Sequence, residues 1–488
     1  MRGQESGARI EERSRQFLIT IHTLINSNRI VLSILIAISV VIGIGIGNHW
    51  LSILGIIGAG IFLLVCFSSI EIAIAIFLLS ASVDFYISTF HLREGIIVNW
   101  QVSGFILSFL MIVSLLIKKD FYRLKSPLLM PLLIFVGISI LSSIFNSVSL
   151  PQIIYGLVMF LQFVLCYFIG LYYGHSQKVL RITLPLLLII AGTHAMAGIY
   201  QYIYGGAITS NAGIVTSYLQ QTGVRKDIVS FMGNANNLGG YLMISLSLSI
   251  SIFYYAKSMF SKVSLLLLIG VQVMTLFLTN SRGAWVGFVI CILGMGWILK
   301  SKKIIVTLLI SVILSIGLIS VTNTIIKERI ASIFHPEKNT GRVIAWYTAI
   351  LMIHDNPLLG KGLGSYGGIA SHKLGVENEI SQEVGSVFAV QGDTTNFVAD
   401  NHYVLILAET GILGLVAFLW ILYTIFKNSL KTFSTVNNPY QKSLCLGFLM
   451  AFLGICTQGL SMNIWETTPI AVCFWFLSGL VASMEKQL

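Results

Sequence analysis

The sequence predicts an all-α integral membrane protein with about 14 transmembrane helices and one long extracytoplasmic loop that contains short amphipathic helices. Of the 488 residues, 56% are hydrophobic and only 10% are charged. Apolar runs of about 15 to 24 residues recur along the chain, and about 20 helical residues cross the hydrocarbon core of a bilayer. Because a backbone in lipid must satisfy its own polar groups, these runs are expected to be helices.

The predicted transmembrane helices fall on 14 apolar runs separated by polar segments. They are Ile30–Gly47, Trp50–Cys66, Ile70–Tyr86, Trp100–Ile117, Pro127–Phe145, Gln152–Tyr173, Val179–Tyr202, Asn236–Ala256, Val263–Leu278, Gly283–Leu299, Ile304–Val321, Tyr403–Phe426, Leu444–Leu460 and Pro469–Ser483. This division predicts a cytoplasmic N-terminal tail over 1–29, helices 1–11 over 30–321, a long extracytoplasmic loop over 322–401, and helices 12–14 with a short cytoplasmic tail over 402–488.

The basic residues predict which side of the membrane each segment occupies. With the N-terminus in the cytoplasm, most of the 30 Lys and Arg fall in cytoplasmic segments, as the positive-inside rule requires. The long loop then lies outside the plasma membrane. The net charge of +11 follows from this asymmetry and suits anionic lipid of the inner leaflet. Nucleic acid is not an expected partner, because the basic residues are not gathered on a soluble face.

The two halves of the chain show no internal repeat of segment lengths or polar positions. Many secondary transporters are built from paired halves and bury several ionisable residues within their spans. Here the ionisable residues placed well inside a predicted span are scarce, with His194 and Glu409 as the main examples. The pattern therefore argues against an ion-coupled transporter.

The predicted loop is the main polar interruption in the chain. It holds eight of the 19 acidic residues and ends in Asp400-Asn401-His402, at the mouth of the next apolar run. Ionisable groups at the water boundary of one large polar segment indicate that the chemistry takes place there. Within the loop, a helix is predicted over 341–354 and is stopped by Asn356-Pro357. Five glycines in the segment Gly360–Gly368 predict turns where the backbone can approach a ligand closely.

Three arginines are candidates for binding phosphate. Arg282 lies in a minimal outer turn beside Ser281, and a guanidinium offers a permanently charged fork of donors that matches phosphate oxygens. An anchor at the membrane interface is the competing interpretation of Arg282. For Arg225 the competing interpretation is a solvated loop residue, and for Arg342 it is an ion pair with Glu337 or another acid of the loop.

Asp400, Asn401 and His402 form a second candidate group. An imidazole or a carboxylate can take a proton from an alcohol. Helix capping is the competing interpretation, because Asp400 or Asn401 is a suitable N-cap for a helix that starts near Tyr403. Glu409 lies two turns further along the same face and is expected to make a structural hydrogen bond.

No cofactor and no metal are expected. The chain has no Walker loop, its densest glycine pattern follows no strand, and no Asp-x-Asp pair occurs. All six cysteines fall in apolar runs, and their spacing suits neither zinc nor a disulfide framework. An enzyme of this kind would draw on a lipid-linked donor and work without a metal.

Three segments, taken in order, resemble the O-antigen ligase/polymerase family of membrane glycosyltransferases. They are TNSRGAWVGF (Thr279–Phe288), GRVIAWYTAILMIHDNPLLGKGLGSY (Gly341–Tyr366) and DNHYVLILAETGILGL (Asp400–Leu415). The resemblance covers about Phe231 to Phe418. The first 200 residues match only as a hydrophobic pattern.

The resemblance implies a specific reaction and location. Such proteins transfer an undecaprenyl-pyrophosphate-linked glycan to an acceptor hydroxyl at the extracytoplasmic face of the bacterial plasma membrane, by single displacement and without a metal. Arg282 matches the family's Ser-Arg-Gly motif, whose arginine holds the pyrophosphate, while Arg225 and Arg342 match more loosely. The implied partners are the glycan donor, the acceptor, membrane lipid and, as a further candidate, a chain-length regulator.

The chain departs from the family pattern at one position. Alignment on Glu409 places Asp400 where many members, the ligases especially, have a histidine, and His402 follows two residues later. Either Asp400 is the base or His402 acts from a shifted register. The Asp-Asn form is more similar to the polymerases than to the ligases.

The expected function is polymerisation of lipid-linked repeat units into a cell-surface polysaccharide such as O-antigen or teichuronic acid. The alternatives are a ligase that transfers the glycan to lipid A core or protein, and a flippase or exporter of lipid-linked glycans. The expected catalytic residues are His402, Asp400 and Arg282, and the expected substrate-binding residues are Arg225, Arg342, Asn401, Ser281 and Trp346. Loop packing is the competing interpretation of Trp346.

Overall fold

The computed structural model describes residues 50–84, 100–204, 228–301, 340–376, 380–381, 383–384 and 400–485. In chain order the helices are α1 (Trp50–Ser68), α2 (Ile70–Ser82), α3 (Trp100–Lys118), α4 (Leu129–Phe145), α5 (Leu150–Tyr173), α6 (Gln177–Tyr204), α7 (Ala235–Tyr255), α8 (Met259–Leu278), α9 (Arg282–Ile298), α10 (Thr340–Asp355), α11 (Ile369–Leu374), α12 (His402–Thr435), α13 (Pro439–Gln458) and α14 (Thr468–Glu485). Short 3-10 helices lie at Phe121–Leu124, Ser230–Met232 and Ile464–Glu466.

The predicted all-α integral membrane fold is confirmed. Within the described residues, eight helices are long and apolar enough to cross a membrane, namely α3, α5, α6, α7, α8, α12, α13 and α14. Shorter apolar helices coincide with further predicted spans. Two predicted spans, Ile30–Gly47 and Ile304–Val321, lie outside the described residues, as does the N-terminal tail 1–29.

The span predicted over Tyr403–Phe426 differs from the observed helix in two ways. Helix α12 continues to Thr435, which gives it 34 residues, more than the roughly 20 that a bilayer core needs. It is also interrupted, because Gly411 has φ 65° and ψ −170°. The prediction of a continuous helix was therefore wrong, because residues 357–362 pack into the helix at the interruption.

Glycines bring the central helices into close contact. Helix α14 is the most enclosed of the candidate spans, and Gly479 on it faces the Tyr167 carbonyl of α5 with no room for a side chain. Between α9 and α13, a Cβ atom on Gly287 would lie 2.9 Å from the Gly454 carbonyl oxygen. Small residues allow helix backbones to approach in this way inside membranes.

The two ends of the bundle differ in charge. We define the loop end as the end where α9, α12 and α14 begin and where α13 finishes. The opposite end carries Lys300 after α9, Lys427 late in α12 and Lys442 early in α13. There Lys431 also pairs with Glu485 at 2.6 Å. This asymmetry is the one that the positive-inside rule describes, and the predicted orientation rests on it.

Helix α10 packs against the first turns of α12. Its inward face buries Ala349 and Met352, which form one cluster with Tyr366, Leu405 and Ala408. The helix ends at Asp355, immediately before Asn356-Pro357, as predicted. This packing places the segment after α10 beside α12 at the loop end.

Candidate active site

Asn401 caps the start of α12. Its side-chain oxygen accepts the backbone N–H groups of Tyr403 at 3.0 Å and Val404 at 3.2 Å. These two donors have no partner within the helix, so the cap satisfies them. Of the two predicted capping residues, Asn401 therefore fills the position, and Asp400 is left one residue outside the helix.

Asp400 is partly exposed and lies close enough to Tyr366 to influence it. Burial, followed by the charge of Asp400, raises the pKa of the Tyr366 hydroxyl above its usual value. That hydroxyl donates to the Ala345 carbonyl of α10 at 2.7 Å. The carboxylate of Asp400 thus stands at the junction of α10, the glycine-rich segment (residues 357–368) and α12.

The His402 side chain is buried, with 4% of its surface exposed. Its ring packs against Trp465, with centroids 5.0 Å apart, and against Phe418 at 5.3 Å. Its backbone N–H donates to the Gly459 carbonyl at 2.9 Å. The ring is therefore held in one orientation at the point where α12 meets the end of α13.

A chain of hydrogen bonds runs from His402 to the glycine-rich segment. Nδ1 of His402 contacts Oδ1 of Asn463, and Nδ2 of Asn463 donates to Oε2 of Glu466 at 2.6 Å. The same Glu466 oxygen accepts the backbone N–H of Ile369 at 2.9 Å. Burial raises the pKa of Glu466, while the bonds from Ile369 and Asn463 lower it.

The glycine-rich segment enters α12 at the interruption around Gly411. Residues 357–362 supply the hydrogen-bonding groups that the broken helix has lost, which is how non-helical backbone is tolerated inside a membrane protein. The bonds run from Lys361 N to Ala408 O (2.9 Å), from Gly362 N to Glu409 O (2.9 Å), from Ile412 N to Pro357 O (2.9 Å) and from Leu413 N to Leu358 O (3.3 Å).

Glu409 turns its carboxylate toward the same segment. Oε1 accepts the N–H of Tyr366 at 3.3 Å, and the N–H groups of Gly364 and Ser365 also bond to the carboxylate. A carboxylate surrounded by consecutive backbone N–H groups stabilises a tight turn. The predicted structural hydrogen bond of Glu409 is thus present, although its partner is the loop.

The ends of α4 and α5 hold the other side of the segment. Ser142 donates its hydroxyl to the carbonyl oxygen of Glu409 at 2.8 Å and also bonds to that of Leu359. Asn146 donates to the Gly360 carbonyl at 2.8 Å. On α5, Gln152 donates to the Leu363 carbonyl at 2.9 Å. Three helices therefore fix the glycine-rich segment.

Arg282 begins α9 and is partly exposed. The next residue, Gly283, lies directly against Ser461, and a Cβ atom on it would be 3.5 Å from Cγ of Gln458. His402 contacts Gly459 in the same stretch. The structure therefore brings the helix starts that carry Arg282 and His402 to one turn, over 458–463.

The structure describes some of the other predicted binding residues in full and others in part or not at all. Ser281 is buried at the start of α9, and its hydroxyl makes no hydrogen bond to the described residues. Trp346 lies on α10 with 52% of its surface exposed. Arg342 lies in the first turn of α10, where the structure describes only its backbone. Arg225 lies outside the described residues.

Asn463 and Glu466 were missed in the sequence. They stand in the short segment NIWETT between two apolar runs, where polar residues normally mark only a turn. The signal for Glu466 is an acid at the mouth of an otherwise uncharged span, the same signal that singled out Asp400. Its partners at 369 and 402 are too distant in sequence for local spacing to reveal them.

The assembled groups are one guanidinium, an imidazole and several carboxylates at the loop end. Within the described ranges, no three His, Cys, Asp or Glu side chains converge as a metal site. All six cysteines are free thiols. The arrangement can bind an anion at Arg282 and accept a proton at His402 or Asp400.

Comparison with known protein families finds a match over part of the chain. A family model described as O-antigen ligase matches residues 263–419. The matched region contains all three segments that carry the resemblance, and it includes α9, α10 and the first half of α12. None of the curated proteins matches the chain.

Proposed function

We propose that this chain, whose residues 263–419 form an O-antigen ligase domain, polymerises undecaprenyl-pyrophosphate-linked oligosaccharide repeat units into a cell-surface polysaccharide. The match to this family supports a membrane glycan-processing enzyme. Its substrates are accordingly lipid-linked glycans in a membrane setting. The polymerase activity, the pyrophosphate donor and the extracytoplasmic site are our proposals.

The observation that carries the proposal is the meeting of two helix starts at one turn. Arg282 opens α9 and His402 opens α12, and both helices contact residues 458–463. A glycosyl transfer needs a cation for the departing pyrophosphate and a base for the attacking hydroxyl, both within one site. We propose that Arg282 and His402 supply these two functions from helices that contact the same turn.

The proposed reaction is a single displacement. The oxygen of an acceptor sugar hydroxyl attacks the anomeric carbon of the donor glycan and forms the new glycosidic bond. The bond from that carbon to the pyrophosphate breaks, and the lipid pyrophosphate departs with its electron pair. Arg282, assisted by Arg225 and Arg342, neutralises the developing negative charge, which is the largest single contribution in many enzymes.

The proton of the acceptor hydroxyl passes to His402 or Asp400. His402 supplies an imidazole fixed by its packing, and Asp400 supplies a partly exposed carboxylate two residues away. Asn401, Ser281 and the exposed indole of Trp346 are proposed to contact the sugars or the phosphate. No metal ion or cofactor is part of the proposal.

The proposal is tested with purified protein in liposomes and a chemically defined lipid-linked repeat unit. Chain growth is followed as a ladder of products. Arg282→Ala is expected to reduce growth about 100-fold or more, as removal of one charge-stabilising donor does in other enzymes. Arg282→Lys is expected to recover only part, because lysine keeps the charge without the bidentate fork.

The matched control is Arg123→Ala, which removes an arginine paired with Asp120 at 3.3 Å outside the site. It should leave the ladder unchanged. If Arg282→Ala still makes long chains in this assay, the catalytic role of Arg282 is wrong. If the native protein makes no ladder, the polymerase proposal fails and a transport role becomes the better explanation.

A ligase activity is the second candidate, because the matching family model is described as O-antigen ligase. The same assay separates the two when a lipid A core or protein acceptor is added. Transfer to that acceptor, without growth of lipid-linked chains, would favour the ligase.

A further inference from the structure

We propose that Asn463 and Glu466 are positioning residues that hold His402 in the tautomer protonated at Nδ1, so that Nε2 carries the lone pair that accepts the acceptor's proton. The inference rests on the proposed function for its chemical meaning. It also assigns the proton-accepting role to His402 and leaves Asp400 to hold the acceptor hydroxyl.

The direction of the hydrogen bonds fixes the tautomer. A backbone N–H only donates, so Oε2 of Glu466 is an acceptor toward Ile369 at 2.9 Å. The Asn463 atom 2.6 Å from the same oxygen is therefore the donating Nδ2. The other end of that amide is its carbonyl oxygen, which only accepts. Nδ1 of His402, which contacts this oxygen, must then carry the hydrogen.

The opposite nitrogen of the ring is left for chemistry. A neutral imidazole carries one hydrogen, so a protonated Nδ1 leaves Nε2 with its lone pair. Nε2 makes no hydrogen bond to the described residues. It is also not fully enclosed by protein atoms. Packing against Trp465 and Phe418 keeps the ring plane fixed. The ring thus presents one unsatisfied basic nitrogen.

Glu466 also stabilises the product of proton transfer. When Nε2 takes the proton, the imidazolium charge is linked through the Asn463 amide to the Glu466 carboxylate. A carboxylate that orients a histidine and stabilises its charged form, without itself taking the proton, is an established catalytic device. Here an asparagine stands between the two groups.

Removal of the Glu466 acceptor tests the chain of bonds. In Glu466→Leu, the Asn463 amide loses the group that fixes its direction, so it is free to rotate and the preference for hydrogen at Nδ1 is lost. Glu466→Gln is the matched control, because its single carbonyl oxygen can take the place of Oε2 and accept from both Ile369 and Asn463.

The readout is the ¹⁵N spectrum of histidine-labelled protein in liposomes, with the His402 signals assigned by their loss in His402→Gln. In the native protein we expect Nδ1 protonated and Nε2 unprotonated. Glu466→Leu should give a mixture of the two tautomers, and Glu466→Gln should keep the native one. His194, whose Nδ1 lies 3.2 Å from Oγ of Ser230, serves as the internal control and should keep its spectrum throughout.

Glycan transfer is measured on the same samples. Removal of the base in His402→Gln should reduce transfer by about 100- to 10,000-fold, the usual contribution of a positioned base, and transfer by Glu466→Leu should fall between that of His402→Gln and that of Glu466→Gln. A native His402 protonated at Nε2, or a tautomer unaffected by Glu466→Leu, overturns the inference. The expected tautomers together with full transfer by His402→Gln would instead overturn the proton-accepting role assigned to His402.

Discussion

Tyr366 donates its backbone N–H to the carboxylate of Glu409 across 3.3 Å, although the two residues are 43 positions apart. The bond joins the glycine-rich segment to α12 two residues before the interruption at Gly411. Glu409 carries the main-chain carbonyl that binds Gly362 as well. One residue of α12 therefore holds the segment by both its side chain and its backbone.

Replacing Glu409 with leucine is expected to release the glycine-rich segment. The N–H groups of residues 364–366 would lose their acceptor in a buried setting, and each unsatisfied buried group costs about 1–3 kcal/mol. Thermal unfolding of the detergent-solubilised protein should show a lower transition temperature. Glu409→Gln keeps an acceptor oxygen and is expected to lose much less, so equal losses in the two variants would contradict this account.

The sequence predicted the helices well and the interruption poorly. Long apolar runs identify spans because lipid imposes the same requirement on every one of them. A single glycine within a span is common in membrane helices, so Gly411 gave no sign of a break. The break depends on residues 357–362, and no local pattern links them to 408–413.

In the candidate site, too, the residues marked by a local pattern were predicted, and the contacts distant in sequence were not. Arg282, Asp400, Asn401 and His402 were recognisable because each stands at a boundary between a span and a polar segment. The partner of His402 is Asn463, which is 61 residues away. Contacts of this kind arise from the packing of α12 against the α13–α14 turn, which periodicity does not encode.

Gly411→Ala is expected to be strongly destabilising. The backbone there has φ 65°, a region that costs a side-chain-bearing residue about 1–3 kcal/mol, and the added methyl would collide with the Leu358 carbonyl and lie 2.5 Å from the Leu359 nitrogen. The yield of folded protein and its unfolding temperature measure the effect.

Gly137→Ala in α4 is the matched control for this substitution. A Cβ atom at Gly137 has no neighbour within 4 Å, and alanine favours a helix over glycine by about 0.5–1 kcal/mol. It should be neutral or mildly stabilising. If Gly411→Ala behaves in the same way, the inserted segment does not depend on the left-handed glycine.

Glu466 should make the stability of the protein fall as pH rises. Burial raises its pKa above the ordinary value of 4.5, so the folded state holds the proton over a range where the unfolded state has released it. Stability then decreases from about pH 4.5 up through the raised pKa. In Glu466→Gln this decrease should be smaller, as measured by unfolding temperature against pH.

The control for the pH series is Glu71→Gln. Glu71 accepts from the hydroxyl of Ser69 two residues away at 2.9 Å, so its substitution leaves the site intact. Its curve should keep the native decrease, because the Glu466 carboxyl is still present. A Glu466→Gln curve that also keeps this decrease would show that Glu466 does not titrate differently in the folded and unfolded states.

Two substitutions of Asn401 can separate its role as a helix cap from a role in substrate binding. Asn401→Ala removes the acceptor for two N–H groups at the start of α12 and is expected to cost about 0.5–2 kcal/mol. Asn401→Ser keeps a capping oxygen and should restore most of that stability. Since serine is shorter and lacks the amide, it does not preserve a contact that reaches beyond the helix. If the role of Asn401 is confined to the cap, Asn401→Ser should transfer glycan at close to the native rate, whereas a stable but inactive Asn401→Ser would place the amide in contact with substrate.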